Sequence, residues 1–195
     1  MSTAGCTARR RAARRHLLDA AGTSILEALV AAAVVITIAA GVAHLLVWSR
    51  RATWSAGVRS TAVVLATAKL EQLRALDWFT DAAGVPVSDT STNLAREPHT
   101  PDGTGLRPSP PGTLAQNTPG FVDFVGLDGA WRGTGRDAPP GAVFVRRWGI
   151  APYPDDPAGT LVLTVVTFHL GAGRAFPASA AGAVRVQTLR TRLAP

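Results

Sequence analysis

The sequence predicts an α+β fold in which one long N-terminal helix precedes an antiparallel sheet of about four strands. Two observations carry this prediction. All 14 prolines of the 195-residue chain lie at or beyond Pro86, so no proline interrupts a helix before that point. After residue 120, short runs rich in β-branched and aromatic residues alternate with turn residues, a pattern typical of strands. The chain therefore divides into a helical first part and a β-rich last part.

Residues 1–22 form a basic leader. They hold five arginines against the single acidic residue Asp19, a net charge of +4 out of the +7 of the whole chain. Most of the basic balance belongs to this leader rather than to the body, so no nucleic-acid partner is expected. Cys6, the only cysteine, lies in the leader too. No internal disulfide is expected in the rest of the chain.

Residues 23–48 predict a membrane-spanning helix. Between Ile25 and Trp48 the only formal charge is Glu27, and these 24 residues make a helix of about 36 Å, enough for a hydrocarbon core of about 30 Å. Trp48 and the following Arg50 and Arg51 mark the far membrane surface. Because more arginines precede the helix than follow it, the N-terminus is expected in the cytoplasm and the body on the other side of the membrane.

Glu27 is the unusual residue of this helix. An acidic side chain within a spanning segment costs about 2.5–3.5 kcal/mol even on lenient insertion scales, so it requires a partner. One alternative is an ordinary single-pass anchor, whose carboxylate would reach toward the cytoplasmic interface. The other is a secretory signal peptide, whose apolar region would be only about 7–15 residues long.

Residues 49–76 predict an amphipathic continuation of the helix. The apolar positions recur at three- and four-residue spacing: Ala62, Leu65, Ala66, Leu70, Leu73 and Leu76. The remaining positions include Arg59, Lys69, Glu71, Gln72 and Arg74, which we assign to the polar face. Since the apolar face has no other partner, it is expected to pack on the sheet.

Residues 77–120 predict a long loop, and residues 121–195 the sheet. The loop holds seven prolines and five glycines, and no helix or strand pattern persists in it. Four strands are expected in the sheet, at 121–125, 142–150, 160–170 and 183–193. The third is apolar on both faces and is expected to be central, whereas the fourth has the weaker pattern of an edge. Linkers too short for crossover helices make the sheet antiparallel.

The stretch Gly22-Thr-Ser-Ile-Leu-Glu27 with the apolar helix after it resembles the processing signal of type IV prepilins and pseudopilins. The phrase Ala68-Lys-Leu-Glu-Gln-Leu-Arg-Ala-Leu76 and the sequence Arg146-Arg-Trp-Gly-Ile150 are similar to PilV-like minor pilins and to I-type pseudopilins of type II secretion. The resemblance lies mainly in the first 76 residues. Thr23 stands where the family usually has Phe.

This resemblance implies a processing pathway and a set of partners. A prepilin peptidase would cleave after Gly22, and Thr23 would become the N-methylated terminus. Glu27 would pair with the terminal amine of a neighbouring subunit. The implied partners are the peptidase, other pilin or pseudopilin subunits and the inner membrane, from which the subunit would enter a pilus or periplasmic filament.

The implied function is that of a minor pilin, a non-catalytic structural subunit of a type IV pilus. A type II secretion minor pseudopilin is the first alternative, because both share the helix. A single-pass, membrane-anchored extracytoplasmic binding domain is the alternative from another class, and it would require a convergent polar pocket.

No catalytic, cofactor or metal site is expected from the sequence. The four histidines have no paired spacing that suits a metal. Gly133-Thr-Gly135 lacks the lysine and helix of a phosphate loop, and Asp155 and Asp156 lie in a proline-rich turn where a calcium role is the minor alternative. We therefore expect neither an enzyme nor a small-molecule substrate.

Overall fold

The computed structural model describes residues 5–171 and 183–193, with side chains from residue 25 onward. It confirms the α+β fold: one long helix followed by an antiparallel sheet. The chain forms two compact units, Met1–Trp54 and Ser55–Pro195. The elements are α1 (Gly5–Ala75), β1 (Trp78–Thr80), β2 (Pro86–Ser88), β3 (Val122–Val125), β4 (Trp131–Gly133), β5 (Phe144–Tyr153), β6 (Asp156–His169) and β7 (Val184–Thr191).

The C-terminal end of α1 is capped by an arginine from the sheet. The last carbonyls of a helix have no partner within the helix and must find donors elsewhere. The Arg190 guanidinium donates hydrogen bonds to the carbonyl oxygens of Leu73, at 3.1 Å, and Arg74. A cation at this end also interacts favourably with the helix dipole. The edge strand β7 thus supplies hydrogen-bond donors to the last turn of the helix.

The main sheet has five strands in the order β4-β3-β5-β6-β7, and every pair is antiparallel. The long β5–β6 pair forms its centre, with Trp148 opposite Val165, while β3 places Asp123 opposite Arg146. β6 lies between β5 and β7, and β7 lies at the edge. The sequence-based expectations of a central third strand and an edge fourth strand are confirmed.

Strand β4 was not expected from the sequence. The turn before it contains Asp128-Gly129, where Gly129 has a φ of 77° and Gly126 N–H donates to the Ala130 carbonyl. Asp-Gly between apolar residues is a strong hairpin signal, because glycine adopts positive φ without a steric penalty. The five-strand sheet follows from this turn.

The proline-rich segment 77–120 is more ordered than the sequence indicated. Its beginning forms the two-stranded antiparallel sheet β1–β2, and Asn93 forms a bridge with Thr100. The Arg192 guanidinium lies 3.6 Å from the centre of the Trp78 ring and donates to two carbonyl oxygens of the hairpin. The expectation that no strand pattern persists here is wrong at this hairpin, because long-range contacts stabilise strands too short to be read from the sequence.

The principal core lies between the second half of α1 and one face of the sheet. All six apolar positions of the amphipathic helix segment are buried there against strand residues such as Trp148, Leu163 and Val165. A second apolar cluster covers part of the opposite sheet face: Val122, Phe124, Val145, Val166 and Phe168, with Leu114 packed on it. The expected packing of the leucine face on the sheet is confirmed.

Candidate functional site

The apolar half of α1 is one candidate interaction surface. From Ile25 to Gly57 every residue is exposed within the chain, and the large aliphatic residues are no exception, with Ile25 64% and Leu45 70% exposed. By length and composition this helix could span a membrane. So much exposed apolar surface needs a lipid or protein environment to cover it.

Polar side chains in this apolar segment are bonded within the helix. The Thr37 hydroxyl donates to the Ala33 carbonyl at 2.8 Å, one turn earlier. The Trp48 indole N–H donates to His44 Nε2 at 3.1 Å. Such local bonds reduce the cost of placing a polar group in an apolar environment. His44 is therefore tied to the tryptophan expected at the membrane surface.

Glu27 differs from these residues. Its side chain is exposed among aliphatic neighbours, and none of the side chains that the structure describes forms an ion pair with it. The backbones of Gly22 and Thr23 lie within α1, but the Thr23 side chain lies outside the described part. Any compensation for the Glu27 carboxylate has to come from beyond the described side chains of this chain.

Lys69 is the second charged group in an apolar environment. The sequence predicts it outside the apolar face of α1, but its side chain is completely buried. Lys69 lies one turn from both Leu65 and Leu73, so the four-residue spacing already placed it within the apolar face. The assignment was wrong because it followed the polarity of the side chain rather than the helical period.

The Lys69 ammonium has three partners in the core. Its Nζ lies 2.7 Å from Asp123 Oδ2, donates to the Leu94 carbonyl at 2.8 Å, and lies 4.8 Å from the centre of the Trp148 ring. Burial lowers the pKa of Lys69 from its ordinary value of 10.5, and this effect outweighs the attraction of the Asp123 carboxylate, which raises it.

Asp123 also binds a second cation. Arg146 Nε and Nη2 each donate to one carboxylate oxygen of Asp123 at 2.7 Å, the two-pronged geometry that suits a guanidinium. Asp123 is fully buried and Arg146 is 5% exposed. We call Lys69, Asp123 and Arg146 the buried charge cluster: it joins α1, β3 and β5 around one carboxylate and two cations.

The other sequence candidates have structural roles. The Asp156 carboxylate accepts hydrogen bonds from the Gly159 N–H at 3.0 Å and the Thr160 hydroxyl at 2.8 Å, which is the local turn interaction expected of it. The His169 ring packs edge-on against Phe144. In the part of the chain that the structure describes, no group of three histidine, cysteine or acidic residues could hold a metal.

One open groove lies on the sheet face opposite the helix. It has a volume of about 550 Å³ and runs between the loop at 109–115 and strands β5 to β7. Its polar lining includes Ser109, Thr164, Arg185 and Gln187. The Ser109 hydroxyl is already engaged with the backbone of Ile150, both as donor and as acceptor.

No protein-family model, curated protein or solved structure matches this chain. Its function therefore has to be argued from its own residues.

Proposed function

We propose that this chain is a minor pilin, cleaved after Gly22 and assembled through its N-terminal helix into a type IV pilus or related filament. The observation that carries the proposal is the environment of Glu27: a single carboxylate in an exposed apolar helix, five residues after a glycine, without a partner among the described side chains. Such a carboxylate requires a cation in an apolar environment.

Cleavage after Gly22 would create the missing cation. The new α-amino group of Thr23 is positively charged near neutral pH and stands one helical turn before Glu27. In a bundle of parallel helices, the amine of one subunit can approach the carboxylate of the next. Pairing in an apolar core requires both charges, because either one alone would be left uncompensated. Charge pairing of this kind would select the stagger between neighbouring helices.

The rest of the helix would supply the bulk of the assembly surface. The exposed aliphatic side chains between Ile25 and Val47 would contact lipid before assembly and neighbouring helices after it. The unit from Ser55 onward, in which the helix packs on the sheet, would face outward from the filament. The subunit would first span the inner membrane once, with the N-terminus in the cytoplasm and the sheet outside, as the arginine distribution favours.

A type II secretion pseudopilin remains the nearest alternative function. It would use the same helix, the same processing and the same pairing of Glu27. A neighbouring gene for a pilus retraction motor would support the pilus, and one for an outer-membrane secretion gate would support the pseudopilin.

A membrane-anchored binding domain is the alternative from another class, and the groove between the 109–115 loop and β5–β7 is the observation that favours it. Two results together would support this alternative over the filament subunit. The intact chain would bind a ligand saturably, and replacing Arg185 or Gln187 would abolish that binding. The isolated protein would also retain its N-terminal arginines.

The decisive experiment is mass spectrometry of the N-terminus of the chain isolated from membranes. The proposal expects a chain that begins at Thr23, with or without a methyl group on its amine. Gly22→Leu should block cleavage and leave the leader attached, whereas Gly41→Leu, the same change in an open part of the same helix, should be processed normally. A wild-type chain that keeps its leader arginines would overturn the proposal.

A further inference from the structure

Lys69 is the only lysine among the 20 lysine and arginine residues of the chain. Every other side-chain cation is an arginine, including Arg146, which shares the same carboxylate. The one lysine is nevertheless the most deeply buried cation of the described residues. A property specific to lysine is therefore used at this position.

That property is the shape of the ammonium group. An ammonium directs three N–H bonds away from one another, whereas a guanidinium directs its donors within one plane. The three partners of Lys69 come from three separate segments: Asp123 from β3, the Leu94 carbonyl from the segment between β2 and β3, and the Trp148 ring from β5. A guanidinium can also stack on a ring while donating in its plane, as Arg192 does at Trp78. It is larger than an ammonium, however, and the site of Lys69 is completely buried, so the compact ammonium fits this position better.

Charge balance does not require Lys69. The two bonds from Arg146 already neutralise the Asp123 carboxylate, so the ammonium gives the buried charge cluster an excess positive charge. Glu97 also attracts the ammonium, at longer range, and Arg146 repels it. Taking a charged group out of water is costly, and removing one partner of a buried pair is destabilising only when it leaves the other charge uncompensated. Without Lys69, the Asp123 carboxylate would still have Arg146 as its partner. Stability alone therefore does not account for a lysine here.

We propose that Lys69 is a positioning residue that fixes the rotation and axial register of α1 on the sheet. The leucines of the helix face bind the sheet through contacts that have no preferred direction, so a helix shifted along the sheet could still bury them. The bonds of Lys69 to Asp123 and to the Leu94 carbonyl form in one register only. A single directional polar contact in an apolar interface is an established way of selecting one register among several. This inference does not depend on the proposed function.

The test is a distance measurement between the helix and the sheet in the full-length chain in detergent micelles. Cys6→Ser removes the native thiol, and Thr67→Cys with Gln187→Cys places spin labels at two exposed positions. The wild-type background should give one narrow distance distribution. Lys69→Met should give a broader distribution or a second distance. Its circular dichroism signal from the strands should be unchanged, and its melting temperature should equal or exceed that of the wild type.

The controls separate register from packing. Leu70→Met changes the next buried side chain of the helix without touching a charge, so it should keep the narrow distribution. If Lys69→Met keeps it too, directional bonding does not set the register and the proposal is overturned. If Lys69→Met unfolds the chain, Lys69 is required for stability and the proposal is overturned as well.

A second measurement uses the uniqueness of the side-chain amine. With an amine-reactive reagent, the native chain should gain one label, at its N-terminus, and the unfolded chain two. Modification of Lys69 in the native state should be slower than in the unfolded state by about 100-fold or more, because a buried site reacts only after local opening. Equal rates in the two states would show that the ammonium is not held in the core, and the proposal would be overturned.

Discussion

Two segments of α1, the apolar segment 23–48 (the first half) and the amphipathic segment from residue 49 onward (the second half), each carry one charged residue in an apolar environment. The two residues differ in where their partners lie. Lys69, in the second half, is enclosed by the carboxylate of Asp123, the carbonyl of Leu94 and the ring of Trp148. Glu27, in the first half, is surrounded by exposed aliphatic side chains and has no ion-pair partner among the described side chains. One charge on the helix is therefore compensated within the described part of the chain, and the other is not.

This difference separates folding from assembly. A charge in an apolar environment must be compensated, and Lys69 is compensated when the chain folds. Under the proposed function, Glu27 is compensated only when a second subunit brings its N-terminal amine. Changes at the buried charge cluster should therefore be detected in the isolated chain, and changes at Glu27 only in the filament.

The largest effect on the isolated chain is expected from Asp123→Asn. This substitution removes the only carboxylate of the buried charge cluster and leaves the buried cations Lys69 and Arg146 without it. Breaking a buried ion pair from one side costs about 3–5 kcal/mol, measured here by chemical denaturation of the full-length chain in detergent. Asp128→Asn is the matched control, since its salt bridge with Arg132 is exposed, and it should leave stability unchanged. If both variants lost the same free energy of unfolding, the buried charge cluster would contribute no more to stability than an exposed salt bridge, which would contradict the prediction.

Truncation of the helix face should have the next largest effect. Leu73 is fully buried between α1 and the sheet, so Leu73→Ala should lower the free energy of unfolding by about 2–5 kcal/mol. Val64→Ala makes a similar change on the same helix at a side chain that is 66% exposed, and should have little effect. Wild-type stability of Leu73→Ala would mean that the leucine face is not what holds the helix on the sheet.

Replacement of Glu27 should affect assembly alone. Glu27→Gln and Glu27→Val both leave the amine of Thr23 without its partner, so each should reduce incorporation into sheared filaments by about tenfold or more, equivalent to about 1.4 kcal/mol. Cleavage, membrane insertion and the melting temperature of the isolated chain should not change, because the side chain has no described ion-pair partner within the chain. If both variants were present in filaments in normal amounts, Glu27 would have no role in assembly and would be only a carboxylate at the membrane interface.

The smallest effect is the pH dependence that Lys69 contributes. Burial lowers the pKa of Lys69 in the folded state below its ordinary value of 10.5. At pH values between the folded-state pKa and 10.5, the unfolded state binds more protons than the folded state, so stability rises with pH. The melting temperature of the wild type should therefore approach that of Lys69→Met as pH rises to 10.5. Comparing these two chains cancels the contributions of all groups other than Lys69. A difference that widens with pH would show that pairing with Asp123 outweighs the cost of burial.

Much of the fold could be predicted because helices and strands leave recurring local patterns in the sequence. The three- and four-residue recurrence of apolar side chains located the helix face around Leu70 and Leu73. Short β-prone runs between turn residues located β3, β5, β6 and β7. The missed elements are short. Strand β4 follows the Asp128-Gly129 turn, a local signal that was present, whereas the β1–β2 hairpin depends on Arg192 from the far end of the chain.

The candidate site was predicted unevenly for the same reason. Glu27 is conspicuous in the sequence because an acid among aliphatic residues violates the local pattern. Lys69 is inconspicuous because a lysine in an amphipathic helix is ordinarily solvated, and only its position in the helical period indicated burial. Nothing local indicated its pairing with Asp123, which lies on a different element far along the chain.

The sequence by itself determined the long helix, its exposed apolar first half with Glu27, the buried face of its second half and the antiparallel strands. These features follow from periodicity and composition, which are local. Only the tertiary structure decided that the single lysine enters the core and that Asp123 binds two cations. It also decided that Arg190 of the last strand holds the helix end and that Arg192, just after that strand, holds the β1–β2 hairpin. Those contacts depend on how the helix and sheet register against each other, and that register is a property of the folded chain as a whole.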